Sequence, residues 1–149
     1  MSDIEQELYK YVRQVPDVIA ALGTGAPENT RLFPDVAPQS AVYPRASYQR
    51  ISDSGVVYMG GGSDLSHALF QFDVFARSPA DRKAASNAIR KALHGAQGFD
   101  AGEVAVRSVK LNGEVDTADY IDDGTDVPVY RTRMDFMIWY KRTAPAFTL

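Results

Sequence analysis

The chain has 149 residues, 45% of them apolar and 23% charged, with a net charge of −3 and an isoelectric point near 5.3. That is the balance of one globular domain with its own core, not of a disordered chain, and an acidic total disfavours a protein that grips nucleic acid through its phosphates. Cysteine is absent, which excludes disulfides, thiolate zinc sites and a Cys nucleophile.

The start, MSDIEQELYK, lacks the basic and apolar stretches of a signal peptide, and no apolar run reaches the ~18–20 residues of a membrane span, so neither is expected. Over residues 2–22, Ile4, Leu8, Tyr11, Val12, Val15, Val18, Ile19 and Leu22 recur at three- and four-residue steps, the stripe of an amphipathic helix. Ser2 and Glu5 fit a capping box. Pro16 lacks an N–H and disfavours helical geometry at Val15. The spacing therefore predicts one helix to about residue 14 and a short second one led by Pro16, ended by Gly23 and Gly25. Pro27, Pro34, Pro38 and Pro44 predict an extended connection, with Leu32, Phe33 and Val36 packed against the domain.

RASYQRIS (45–52) is a predicted strand. DSGVVYMGGGSDLS (53–66) is predicted as a flexible loop, with Val56, Val57, Tyr58 and Met59 extended ahead of a tip at Gly60, Gly61 and Gly62. HALFQFDVFAR (67–77) is a strand with Ala68, Phe70, Phe72, Val74 and Ala76 on one face. His67, Gln71, Asp73 and Arg77 take the other, interrupted by Leu69 and Phe75. SPADRKAASNAIRKALHG (78–95) is a helix, with Ser78 as N-cap, Pro79 at its first position, Asp81 near the positive end and Gly95 as terminator. EVAVRSVKLNGEVD (103–116) is a strand whose alternation slips, which a bulge near Arg107 or Ser108 explains. DTADYIDDGTDVP reads as an acidic loop. The last strand, YRTRMDFMIWYKR (130–142), splits into two rows. Tyr130, Thr132, Met134, Phe136, Ile138 and Tyr140 need a core; Arg131, Arg133, Asp135, Met137, Trp139 and Lys141 mix charge with large apolar groups.

The order helix, strand, strand, helix, strand, strand predicts one α+β domain over 1–149. It is a mostly antiparallel four-stranded sheet with helices packed on one face. Phe75, Leu69 and Trp139 on the opposite face, with Arg131, Arg133, Asp73 and Asp135, have the mixture of a subunit interface. The competing reading is that the N-terminal segment or the Pro-rich connection covers that face.

Motifs for chemistry are missing. Neither His67 nor His94 has a metal-ligand spacing, GGGSDL does not lead from a strand into a helix as a phosphate loop does, and there is no G-x-S-x-G. Glu114, Asp116, Asp119, Asp122, Asp123 and Asp126 crowd one stretch, but not in the EF-hand pattern. They read as a solvated acidic loop, with calcium as the alternative. A channel-facing position, where like charge keeps DNA from sticking, is a further use. An enzyme is not expected, and no catalytic residue, cofactor or metal is assigned.

The segments AALGTG, RLFPDVAPQSAVYPRASYQRIS, HALFQFDVFARSPADRKAASNAIRKAL and VYRTRMDFMIWY, in this order over residues 4–142, resemble the tail terminator, or tail completion, proteins of long-tailed bacteriophages. The resemblance implies a small α+β subunit in a hexameric ring. That ring caps the tail tube, stops its polymerisation and offers a docking surface to the head. The partners implied are further copies of this chain, the tail tube protein and a head-completion or connector protein. DNA only passes through the channel, and no membrane is involved. The location implied is the neck region of the virion tail, after assembly in the bacterial host cytoplasm. On that footing the expected subunit or tube contacts are Tyr58, Met59, Gly60, Gly61, Gly62, His67, Asp73, Phe75, Arg131, Arg133, Asp135 and Trp139. The expected lumen acids are Asp116, Asp119, Asp122, Asp123 and Asp126, and residues 143–149 are a docking arm or a frayed tail. The alternatives are another neck or tube ring component, or a small-molecule-binding domain with a pocket beneath the glycine loop.

Overall fold

The structure, a computed structural model, describes residues 4–23, 30–35, 43–58, 61–94, 99–101, 104–119 and 128–142. At residues 7, 55–58, 61–65, 99–101, 104–105, 119 and 142 it describes the backbone alone. The elements are α1 (Ile4–Arg13), α2 (Pro16–Leu22), β1 (Leu32–Pro34), β2 (Arg45–Tyr58), β3 (Gly61–Ala76), α3 (Pro79–Leu93), β4 (Phe99–Ala101), β5 (Val104–Asp119) and β6 (Val129–Arg142).

The helix breaks fall where the residues require them. Pro16 opens α2, and Gly23 closes it with its N–H on the Ile19 carbonyl at 2.8 Å. A Cβ at position 23 would stand 2.9 Å from that same oxygen, so the closure needs glycine. Ser78 caps α3 by accepting from the Asp81 N–H at 3.2 Å.

The strands form one six-stranded sheet in the order β1-β2-β3-β6-β5-β4. This corrects the expected four-stranded sheet. The four long strands β2-β3-β6-β5 are antiparallel, but β1 and β4 extend the two edges, and β1 runs parallel to β2. Each added strand has only three residues and pairs with one end of its neighbour. Short runs of that kind carry no period to read.

The helices cover one face. Phe70, Phe72, Met134, Phe136, Ile138 and Tyr140 from the two inner strands are fully buried, together with Ile4 and Leu8 of α1, Val18 and Leu22 of α2, and Ile89 and Leu93 of α3. Aromatic rings tie the layers together: Tyr9 stacks on Tyr48, Tyr48 on Phe72, and Phe72 meets Phe136 edge-on at 5.6 Å. Tyr140 donates its hydroxyl to Asp53 at the edge of this layer.

Two stretches expected as loops are strand. Residues 53–58 and 61–66 belong to β2 and β3, with Val57 opposite Gly62 and Tyr58 opposite Gly61. Gly61 and Gly62 are therefore ladder residues rather than a loose tip; Met59 and Gly60 lie outside the described residues. Likewise β5 continues to Asp119, opposite Val129, where an acidic loop was expected from 116. A ladder partner overrides weak strand propensity in both places.

Candidate assembly surface

β3 and β6 pair without a slip from Leu65–Lys141 to Ala76–Tyr130. Because side chains alternate strictly, this register sends two whole rows to the face away from the helices. The rows meet as pairs: His67 opposite Trp139, Leu69 opposite Met137, Gln71 opposite Asp135, Asp73 opposite Arg133, and Phe75 opposite Arg131. His67, Asp73, Phe75, Arg131, Arg133, Asp135 and Trp139, expected from sequence to act together, thus share one surface. No described helix packs on it.

At one end of this face a single carboxylate gathers the charge. Asp73, only 13% exposed, accepts from Arg131 at 3.0 Å, from Arg133 at 3.4 Å and from the Gln71 amide at 3.2 Å. Arg131 also lies over the Phe75 ring, 5.5 Å from its centroid. One carboxylate between two guanidinium groups leaves a positive charge over, and Arg133 keeps 45% of its side chain exposed. Asp135 has no side-chain partner among the described residues, since Gln71 turns to Asp73 and Gly113 stands opposite on β5.

The N-terminal helices do not cover this face, because α1 and α2 sit in the core on the other side. The Pro-rich connection touches its corner. Tyr43 lies between Arg45 and Arg77, with guanidinium carbons 4.3 and 4.6 Å from the ring centroid. Sequence reasoning missed this sandwich; the signal was an aromatic residue just before a strand that begins with Arg. It also missed Val115, 59% exposed on β5, and Ile51, 44% exposed on β2.

The other expected sites scatter. Asp116 is on β5, where it accepts from the Thr132 hydroxyl at 2.6 Å, and Glu114 faces Arg90 at 3.7 Å. Both point to the helix side, so they do not join the open face. The backbone of Asp119 ends β5; Asp122, Asp123 and Asp126 lie outside the described residues, as do 143–149. Among the described residues no group of His, Asp and Glu could hold a metal ion, and no helix is long and apolar enough to cross a membrane. A groove of about 500 Å³ between α3 and β5 is lined by polar groups, among them Arg82, Lys83, Arg90, Glu114 and Asp116. It is not the apolar pocket that a small-molecule site beneath the glycine loop would need.

Comparison with known proteins matches residues 6–141 to the family model described as tail completion protein gp17. The chain belongs to that family. Among solved structures, a chain of the "Virion of native gene transfer agent (GTA) particle" shares the fold, with a TM-score of 0.61 at 15% identity over 93% of this chain and 94% of that one. No curated protein sequence matches. The chain is thus a phage tail completion protein, a virion structural part, and the β3–β6 face is the side of its sheet that the described helices leave open.

Proposed function

We propose that this tail completion protein forms a ring, hexameric by the family resemblance, that caps the tail tube, stops its growth and presents a docking surface to the head. The open face of β3 and β6 is one patch of the subunit contact. A ring needs a heterologous contact, in which two different patches of one subunit meet around an axis. The observation that carries this reading is the composition of the open face. Leu69, Phe75, Met137 and Trp139 lie among Arg131, Arg133 and Asp135, the aromatic-and-arginine mixture of interface cores.

The β2–β3 hairpin is the second element. Past Leu65–Lys141, β3 loses its β6 partner, and Gly61 and Gly62 pair with β2 alone. A two-stranded ribbon is marginal by itself and gains from a further surface. In this proposal Tyr58, Met59 and Gly60–Gly62 reach a neighbouring subunit or the tube. The acidic residues 116–126 face the channel and the passing DNA, and the location is the neck of the virion tail.

Arg133→Glu tests the contact, because the side chain is exposed enough for the fold to tolerate the change. Native mass spectrometry of the variant is expected to show loss of the ring in favour of the subunit. An unchanged hexamer would remove Arg133 from the interface. A tube component is the rival, and the bulged sheet edges weigh against it. β2 and β5 shift register twice each beyond the short strands β1 and β4, and bulges of that kind hinder strand addition along an edge. Electron microscopy of the purified protein separates the two: long cylinders mean a tube subunit, closed rings a terminator.

A further inference from the structure

β4 pairs with β5 only at Val104–Val106, so among the described residues β5 is the outermost strand where Val115 stands. There Val115 and Thr117 of β5 are ladder partners of Arg133 and Arg131 of β6, and the four line a cleft of about 160 Å³ on the open face. That is below the ~300–1,000 Å³ of a small-molecule pocket and suits a single side chain. One wall is aliphatic, at Val115, which is 59% exposed; the other is cationic. Arg133 gives only its Nε to Asp73, and both its terminal amino groups have no partner among the described residues. A cleft with one spare positive charge and unspent donors takes a carboxylate. One spare charge, beside the unpartnered carboxylate of Asp135, is too little to hold a polyanion such as DNA.

The opposite edge of the sheet carries a carboxylate with nothing to hold. Asp35 follows β1, is exposed, and has no side-chain partner among the described residues. Its N–H donates to the Tyr48 carbonyl at 2.8 Å and its φ is 59°, so the backbone is fixed in a conformation that Asp takes more readily than most residues. Pro34, Tyr48, Phe72, Met134 and Glu114 form one continuous row across the sheet. Asp35 and Val115 follow the two ends of that row, one on each side of it, so they stand about 7 Å apart in height along the strands. Four strand spacings, about 19 Å, separate them within one chain, and Asp35 cannot reach its own cleft. In copies set side by side around an axis, the β1 edge of one meets the β5 edge of the next. Resting on the ring reading above, we propose that Asp35 of one copy docks in the cleft of the next, between Val115 and Arg133. The two edges of the sheet are then the two unlike patches of the ring contact. Asp17 and Asp81 are less suited, because they lie in the first turns of α2 and α3, where the positive end of the helix already favours them. Asp135 shares the face of the cleft, and a contact between like faces closes as a two-fold dimer, not as a ring.

The experiment follows assembly by native mass spectrometry over a dilution series. It compares the parent, Asp35→Asn, Asp35→Lys, Arg133→Glu, and Asp35→Lys combined with Arg133→Glu. Asn accepts the same backbone conformation, so Asp35→Asn removes the charge alone. It is expected to melt like the parent and to need about tenfold more protein to assemble, the loss of one charge-assisted contact. Asp35→Lys should need more still, and the reversed pair should assemble better than either of its single changes. Asp35→Asn rings that form at the parent's concentration would overturn the docking while the ring stands, and the cleft would then belong to the tube or head protein. A reversed pair no better than its single changes would overturn it as well. A parent that stays a single subunit even beside the tube protein would bring down the ring reading and the docking with it. If Asp35→Lys does not fold by circular dichroism, Asp35→Asn decides alone.

Discussion

β3 and β6 run side by side without a slip, whereas the strands that flank them are irregular. β2 shifts at Ile51 and again between Gly55 and Val57, and β5 shifts at Arg107 and at Asn112. The inner pair buries one row completely and presents the other intact, so both the core and the candidate contact face depend on its register. The outer strands carry less of either burden. Their bulges re-aim side chains and twist the edges, a common way to keep sheets from adding strands without limit. Regularity is kept where two faces must be specified at once, and irregularity is admitted where an edge must be closed.

The largest expected effect comes from breaking the inner register. Deleting Asp135 joins Met134 to Phe136. Either Thr132 and Met134, or Phe136, Ile138 and Tyr140, must then turn to the open face, and charged neighbours enter the core. The expected outcome is loss of a cooperative unfolding transition by circular dichroism. A deletion variant that melts like the parent would mean that β6 can slip and that its register specifies nothing.

Next in size is a contrast between neighbours on one strand. Phe136 is fully buried and meets Phe72 edge-on, so Phe136→Ala should cost about 3–5 kcal/mol in urea unfolding. Met137, half-buried on the open face, should cost about 1 kcal/mol or less when cut to Ala in the isolated subunit. Near-equal costs would show that the open face is as tightly packed as the core, and the comparison of faces would fail.

How much of this was legible follows the same division. On β3 and β6 a strict period of two let the sequence separate the buried row from the mixed one. The register places His67, Asp73, Phe75, Arg131, Arg133, Asp135 and Trp139 on one face, while Tyr58, Gly61 and Gly62 of the same expected set stand at the hairpin end. The break at Pro16 and the Ser78 cap were legible because single side chains cause them. On β5 the slip between Val106 and Val109 was visible, and the bulge is at Arg107. The second bulge at Asn112 was not, since the residues beyond it are exposed on both faces and show no apolar alternation. For that reason Asp116 was read as loop, although β6 supplies it with a ladder partner. β1 and β4 were hidden for a related cause: three residues gain strand geometry only from the neighbour they join.

A small effect, of the order expected for Met137, is also predicted on β5. Val106 and Val109 face the core with Ser108 outward between them, and Arg107 is the exposed extra residue opposite no partner. Deleting Arg107 leaves Val106, Ser108 and Val109 in plain alternation, each still opposite its present β6 neighbour. The cost should be about 1 kcal/mol, a fall of roughly 2–4 °C in melting temperature. Deleting Lys110 instead offers no such repair. If the bulge absorbs the lost residue, Ser108 enters the core and Val109 leaves it; if not, the strand beyond is inverted. Calorimetry of the two deletions therefore asks whether the bulge is a spare residue. Equal losses would mean that the kink itself holds the edge, and that the regular inner pair is not the only part of the sheet whose geometry is fixed.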